Sequence, residues 1–198
     1  ETFAGSGAKV AHMMSNHDVP RFLSTAVGDA FGDPWLSPAE QPSSPEPYQR
    51  MALGHVLMLT LPGLPVLYYG DEVGLAGATD PDSRRVMPAE AELLDVQRAL
   101  RETVKRLGAL RRCSPHLRGE RRVTLFVEPR VYAYERSSDA AEGRAIVLLH
   151  AGTGPAPAEV DGAVLGTGEF VDALSGEAIT VGPGLEVPIP PLGARLLV

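Results

Sequence analysis

The chain has 198 residues, 44% hydrophobic and 22% charged, with a mean hydropathy of -0.02: ordinary globular composition with enough apolar material for a core. A formal net charge of -7 argues against the basic face of a nucleic-acid binder. The single cysteine, Cys113, allows neither an intrachain disulfide nor a cysteine zinc cluster.

Glu1 opens the sequence and no basic segment followed by an apolar leader comes after it. The chain therefore reads as beginning after processing, after a cut or inside a longer product. Its compartment, cytoplasmic or exported, stays open. In chain order, Lys9 to Met14 predicts a short buried strand that runs into the polar cluster Ser15-Asn16-His17-Asp18. The Pro-, Gly- and Ser-rich stretch from Gly28 to Pro47 predicts a long surface loop. Ser44-Pro45 marks a helix start, and Tyr48 to Leu61 continues as a mostly apolar helix. Leu64 to Tyr69 reads as a strand covered on both faces. Met51 to Tyr69 lacks Asp, Glu, Lys and Arg over a membrane-span length. Pro62, Gly63 and Pro65 interrupt it, so a helix, a turn and a strand explain it better than a span. Gly74 to Pro88 reads as a second loop. Ala89 to Arg112 carries Leu93, Leu94, Val96, Leu100, Val104, Leu107 and Leu110 at helical spacing with charge on the other face.

The order strand, loop, helix, repeated twice, predicts two βα units of a parallel sheet or barrel. After about Pro115 the pattern changes to short β-prone runs: Arg122 to Val127, Val131 to Arg136 and Arg144 to His150. Tyr132 and Tyr134 should share one face, with Val131 and Ala133 on the other. Gly152 to Pro157 and Gly182-Pro183-Gly184 separate the later strands. We place a boundary near residue 117, with α/β structure over 1–116 and an antiparallel β domain over 117–198.

Two segments offer chemistry. Asn16-His17-Asp18, just past a predicted strand, brings an amide, an imidazole and a carboxylate to the end of the sheet where ligands gather; the same triplet also makes a good turn and cap. Gly63 to Glu72 (Gly-Leu-Pro-Val-Leu-Tyr-Tyr-Gly-Asp-Glu) places Tyr68, Tyr69, Asp71 and Glu72 at the end of the next strand. Tyrosine rings pair a flat apolar face with a hydroxyl, which suits a sugar. A core tyrosine pair with acids capping the next loop is the alternative.

Together these segments resemble the alpha-amylase family of glycoside hydrolases. Ser15-Asn16-His17-Asp18-Val19-Pro20-Arg21-Phe22 is similar to the family's motif at the seventh barrel strand, and Gly63 to Glu72 to its eighth-strand motif. The resemblance implies the last two βα units of a (β/α)8 TIM barrel followed by a C-terminal antiparallel β-sandwich, which Asp172 to Glu177 and Pro191 to Val198 also suit. It implies that Asp18 is the carboxylate that stabilises the transition state, neither attacking nor donating the proton. His17 would hydrogen-bond sugar hydroxyls, and Asn16 would support the turn. Arg21 would pair with an acid or bridge at the surface, and Tyr69 would face the sugar. Gly77 to Pro88 resembles a loop of cyclomaltodextrinase- and neopullulanase-like members, in which Asp80 and Arg84 would hold a neighbouring glucose unit; an ion pair that only braces the loop is the alternative. Those members continue with Trp after Met-Pro, where this chain has Ala89, so the subgroup stays open.

The resembled family's nucleophilic Asp and acid/base Glu belong to earlier barrel strands. Asp71 and Glu72, adjacent on a strand and pointing to opposite faces, make a poor substitute for two carboxyl groups roughly 5 Å apart. They read as acids that support the site or anchor the loop. The chain alone is therefore expected to be inactive and to need the remainder of the barrel as a partner. The implied substrate is an α-glucan oligosaccharide or polysaccharide, with no nucleic acid and no membrane. Calcium is common in that family, but its usual ligands fall outside this chain and no local cluster supports a metal site. Two rivals remain: a metal hydrolase using His12, His17, Asp18 and His55, and a non-catalytic amylase-like sugar-binding or structural domain.

Overall fold

A computed structural model describes residues 7–198, which form two compact units. The first holds the chain up to Met58 together with Gly63–Lys105; the second holds Leu59–Pro62 and Arg106–Val198.

In the first unit, β1 (Ala11–His12) leads through α1 (Phe22–Val27) into α2 (Pro45–Thr60) and then β2 (Leu64–Pro65). The strands pair parallel, Ala11 with Leu64 and His12 with Pro65. Leu64 N donates to Val10 O at 2.9 Å, and Val66 N to His12 O at 2.8 Å. Parallel neighbours need a crossover, and the helical connection provides it. The strands are shorter than the predicted runs of Lys9 to Met14 and Leu64 to Tyr69. A ladder extends only as far as its neighbours do, and among the described residues each strand has one paired edge.

Helix α1 lies where the sequence pattern predicts none. It is one and a half turns long and ends at Gly28, whose φ of 79° is left-handed, with Gly28 N donating to Thr25 O. The last helix, α3 (Asp95–Cys113), starts six residues later than predicted. A separate 3-10 turn covers Glu90–Glu92. The Glu92 carboxylate accepts from Ala89 N at 2.7 Å and Gln97 Oε1 from Leu94 N at 3.0 Å. These side chains satisfy backbone donors ahead of the helix and hold Leu93 extended. Leu23, Tyr48, Met51, Ala76, Leu100 and Val104 make the core of this unit.

The second unit is β-rich. After the short α4 (Pro115–Arg118) come β3 (Arg121–Glu128), β4 (Val131–Ser138) and β5 (Ala141–His150). Then follow β6 (Ala158–Asp161), α5 (Gly162–Leu165), β7 (Gly168–Val171), β8 (Ala178–Val181), β9 (Glu186–Ile189) and β10 (Gly193–Leu197). One antiparallel sheet has the order β10-β5-β4-β3, and β6 pairs with β9 and β7 with β8. Alternation along β4 sends Ala133 and Val131 to the core with Ile146, Leu148, Val160, Leu165, Val187 and Ile189. Tyr132 and Tyr134 share the other face with ring centroids 5.0 Å apart, as the period of two requires.

Two guanidinium groups close the end of α2 within this unit. Arg111 donates to the carbonyls of Leu59 and Leu61 at 2.8 and 3.0 Å and to that of Leu117 at 2.9 Å. Buried Arg136 donates to those of Thr60, Gly119 and Arg121. The last carbonyls of a helix lack partners within it, and these side chains provide them. Burial pushes Arg136 down to about 10. Among the described residues no helix is long and apolar enough to cross a membrane.

Candidate functional site

The parallel pairing puts the C-terminal ends of β1 and β2 on one side, and the two motifs follow from those ends. Past β1 the chain is fixed from its own side chains. Ser15 Oγ accepts from Phe22 N at 3.0 Å, and Asn16 Oδ1 accepts from Asp18 N at 2.8 Å. Asn16 thus spends its carbonyl on a turn of the kind Asn favours, and that turn sets the direction of Asp18.

His17 and Asp18 stay open to solvent, with side chains 63% and 69% exposed and His17 Nε2 3.3 Å from Asp18 Oδ2. The loop after β2 closes over their backbone. His17 O accepts from Ser83 Oγ at 3.2 Å and from Arg84 Nε at 3.1 Å. Arg84 then bridges two carboxylates, with Nη2 3.6 Å from Asp18 Oδ1 and Nε 3.0 Å from Asp80 Oδ1. His17, Asp18, Asp80 and Arg84, which lie more than 60 positions apart in two groups, form one polar surface. As exposed pairs they add little stability. They present fixed acceptors, a ring donor and a cation side by side, a set that suits a polyhydroxylated ligand.

Arg21 lies wholly buried. Its guanidinium carbon is 4.1 Å from the Tyr68 ring centroid and 4.7 Å from that of Tyr69. Nε donates to Ser83 O at 2.9 Å, and Nη1 donates to Tyr69 O and lies 3.1 Å from Asp71 Oδ1. Its backbone N donates to Gly77 O at 2.9 Å. One side chain therefore ties the Tyr68–Asp71 segment to the loop that carries Asp80 and Arg84. Of the two roles weighed for Arg21, the observed one is pairing with an acid. Tyr69 is partly exposed and donates its hydroxyl to Arg85 O at 2.9 Å, with its ring edge-on to that of Tyr68.

Burial pushes the Asp71 carboxyl up to about 6, against the opposing pull of Arg21 and of a hydrogen bond from Ser15. Asp71 and Glu72 sit in a 3-10 turn, Asp71–Val73, and not on a strand. A tight turn, and not the pleat alternation expected of a strand, therefore separates the buried Asp71 from its neighbour. His55, buried in α2, donates Nε2–H to Asp71 O at 3.1 Å, and burial pushes it down to about 4, so it is neutral at pH 7. Among the described residues no three His, Cys, Asp or Glu side chains come together as a metal-ion site.

Sequence reading missed Ser83, Asp82 and Arg85. Asp82 accepts from Ala39 N at 3.2 Å and Ala78 N at 2.7 Å, and its two oxygens lie 2.6 and 2.8 Å from Arg85 nitrogens. The spacing of three between Asp82 and Arg85 was the available signal.

No protein-family model matches the chain. A cyclomaltodextrinase of Thermoanaerobacter pseudethanolicus (strain ATCC 33223 / 39E) is 31% identical over 138 residues, covering 70% of this chain and 20% of that protein. Neopullulanase 2 of Thermoactinomyces vulgaris is 36% identical over 100 residues, 50% of this chain and 14% of that protein. The chain thus spans a fifth or less of the length of these curated relatives. Among solved structures, AmyP in complex with maltose aligns with a TM-score of 0.77 over 97% of this chain and 41% of that one at 21% identity, which speaks for a shared fold.

Proposed function

We propose, for a chain that belongs to the alpha-amylase family of glycoside hydrolases, that it supplies part of the catalytic site of a retaining α-glucan hydrolase. Residues 1–116 are the last two βα units of a (β/α)8 barrel, and residues 117–198 its C-terminal β-sandwich. The observation that carries this is the single polar surface of His17, Asp18, Asp80 and Arg84 at the ends of two parallel strands, the end at which barrel enzymes keep their chemistry.

Cleavage of a glycosidic bond builds positive oxocarbenium character on the sugar. Asp18, held by the Asn16 turn, stabilises that charge as a fixed carboxylate. His17 donates to hydroxyls of the reacting sugar, and Arg84 with Asp80 grips the next unit through charge-assisted hydrogen bonds. Tyr69 lends a ring face. Arg21 acts from below by holding Tyr69 and the Arg84 loop together. The nucleophile and the acid/base come from the rest of the barrel, so this chain alone does not hydrolyse. The names of the relatives support a starch, cyclodextrin or maltodextrin class of substrate. The exposed apolar side chains around the strand pair, Val10, Met13, Leu64, Val66 and Leu67, support burial against further barrel units.

The test is Asp18→Asn in the full-length protein. Its kcat on maltooligosaccharides should fall by a factor of roughly 10²–10³, as when a preorganised stabilising group is removed, with KM changed far less. Full activity in Asp18→Asn, or reducing sugar released by the pure 198-residue chain, sinks the proposal; sugar binding without turnover by the intact protein turns it into a binding domain.

A further inference from the structure

Asp80 and Arg84, which grip the next sugar unit in the proposed function, sit on a loop whose regular structure is one 3-10 turn, Asp82–Arg84. Such a turn has three residues per revolution, so side chains at i and i+3 eclipse. Asp82 and Arg85 therefore belong to one side of it, and Ser83 and Arg84 to others. Ser83 Oγ and Arg84 Nε both donate to His17 O, at 3.2 and 3.1 Å. Asp82 and Arg85 pair with each other instead, Oδ1 2.6 Å from Nε and Oδ2 2.8 Å from Nη2.

Asp82 has little left to offer a ligand. Oδ2 also accepts from Ala78 N at 2.7 Å and from Ala39 N at 3.2 Å, so four donors fill the roughly four lone-pair sites of a carboxylate. Its side chain is 7% exposed. Burial pulls the carboxyl up, but the bonds from Arg85 and from the backbone of Ala78 and Ala39 outweigh it and hold it below the ordinary value. The charge thus closes the segment from Ala78 to Arg85 on itself and pins it to Ala39, whose carbonyl accepts from Arg85. Ala39 is itself buried and anchored on both sides. Glu40 N donates to Asp29 Oδ2 at 2.9 Å, and Gln41 bonds Gly74 O and Ala76 N at 2.8 and 2.9 Å.

We infer that Asp82, acting through Arg85, is a positioning residue: it sets Asp80 and Arg84 in register with His17 and Asp18, and so sets their hold on the sugar unit next to the reacting one. The inference rests on the proposed function. Pairing choice favours this over a brace for the fold alone. Two acids and two arginines within six positions admit a second pairing, in which Arg85 competes with Arg84 for Asp80. The two-pronged bond to Asp82 takes Arg85 out of that competition. Arg84 is left with Asp80 at 3.0 Å and Asp18 at 3.6 Å. Asn at position 82 keeps the size and a carbonyl acceptor but removes the charge that holds Arg85.

The experiment compares kcat and KM in the full-length protein for p-nitrophenyl α-maltoside, which fills the neighbouring sugar position, and p-nitrophenyl α-glucoside, which does not. Asp82→Asn should lower kcat/KM for the maltoside roughly tenfold or more, mainly through KM, the scale of one lost charge-assisted hydrogen bond. The glucoside should stay within about twofold of the unaltered protein, because it makes no use of the grip. Arg85→Met should reproduce this split, and Asp82→Asn/Arg85→Met should cost no more than either change alone. Arg85→Lys keeps a cation beside Asp82 with a single donor centre and should recover part of the maltoside loss; it gives the same comparison if Asp82→Asn does not fold. Arg84→Ala, which removes the grip itself, should lower the maltoside value at least as far. If Arg84→Ala lowers it while the variants at positions 82 and 85 leave it unchanged, or lower both substrates equally, the inference is overturned and the proposed function stands. If Arg84→Ala has no effect either, the grip and the inference fall together.

Discussion

Arg21 and Asp71 offer a perturbation whose size and pH dependence can be worked in advance. Asp71 sits 1% exposed, and its carboxyl is raised from 3.8 to about 6. A raised folded pKa contributes stability that is complete below the unfolded value of 3.8 and lost as pH rises through about 6. At roughly 1.4 kcal/mol per unit, folding is about 3 kcal/mol less favourable above pH 6 than below pH 4 on account of this group. Arg21 already holds that loss down. Replacing it in Arg21→Met keeps the volume but leaves a buried carboxylate without its cation, which costs roughly 3–5 kcal/mol at pH 7.5. At pH 4.5 Asp71 is mostly protonated, so the loss shrinks toward that of the hydrogen bonds to Tyr69 O and Ser83 O, about 2 kcal/mol. Urea unfolding followed by circular dichroism at both pH values measures the difference. Arg21→Met/Asp71→Asn should regain part of the pH 7.5 loss, because the two sites couple. Equal destabilisation at both pH values, with no recovery in the double variant, would refute the reasoning.

Two further outcomes follow from other parts of the fold. Arg136→Met strips donors from the carbonyls of Thr60, Gly119 and Arg121 and should lower stability by about 3 kcal/mol, read as a fall in the thermal midpoint; Arg136→Lys, with one charged centre in place of a fork, should recover only part. Gly63 holds a φ of 106°, and a Cβ there would strike the Val10 carbonyl oxygen, which accepts from Leu64 in the parallel ladder. Gly63→Ala should therefore cost about 2 kcal/mol or more, with faster hydrogen exchange at Leu64 N as the local readout.

Pattern and punctuation in the sequence determined a good deal of this. The apolar spacing of Val96, Leu100 and Val104 placed a helix, Pro45 opened another, and alternation in Val131–Tyr134 assigned the two faces of a strand, because local periodicity and turn chemistry are properties of a few consecutive residues. The two motifs also carried the family resemblance and, with it, Asp18 and His17 as candidates, and the separate resemblance of Gly77 to Pro88 added Asp80 and Arg84 to that candidate group. Only the tertiary structure decided how that group is held. Asp82 reaches Ala39 across 43 positions, and Arg84 reaches the His17 carbonyl across 67, contacts that no local pattern encodes. The same holds for Arg21, whose sequence context left pairing with a nearby acid and a surface bridge equally open. Burial selected the first: a guanidinium removed from water needs acceptors on several sides, and chain closure brought Tyr69, Asp71 and Ser83 to it. Periodicity likewise could not anticipate the late start of α3, since Glu92 and Gln97 take up the donors of Ala89 and Leu94 and stop a helix that apolar spacing alone would have begun at Ala89.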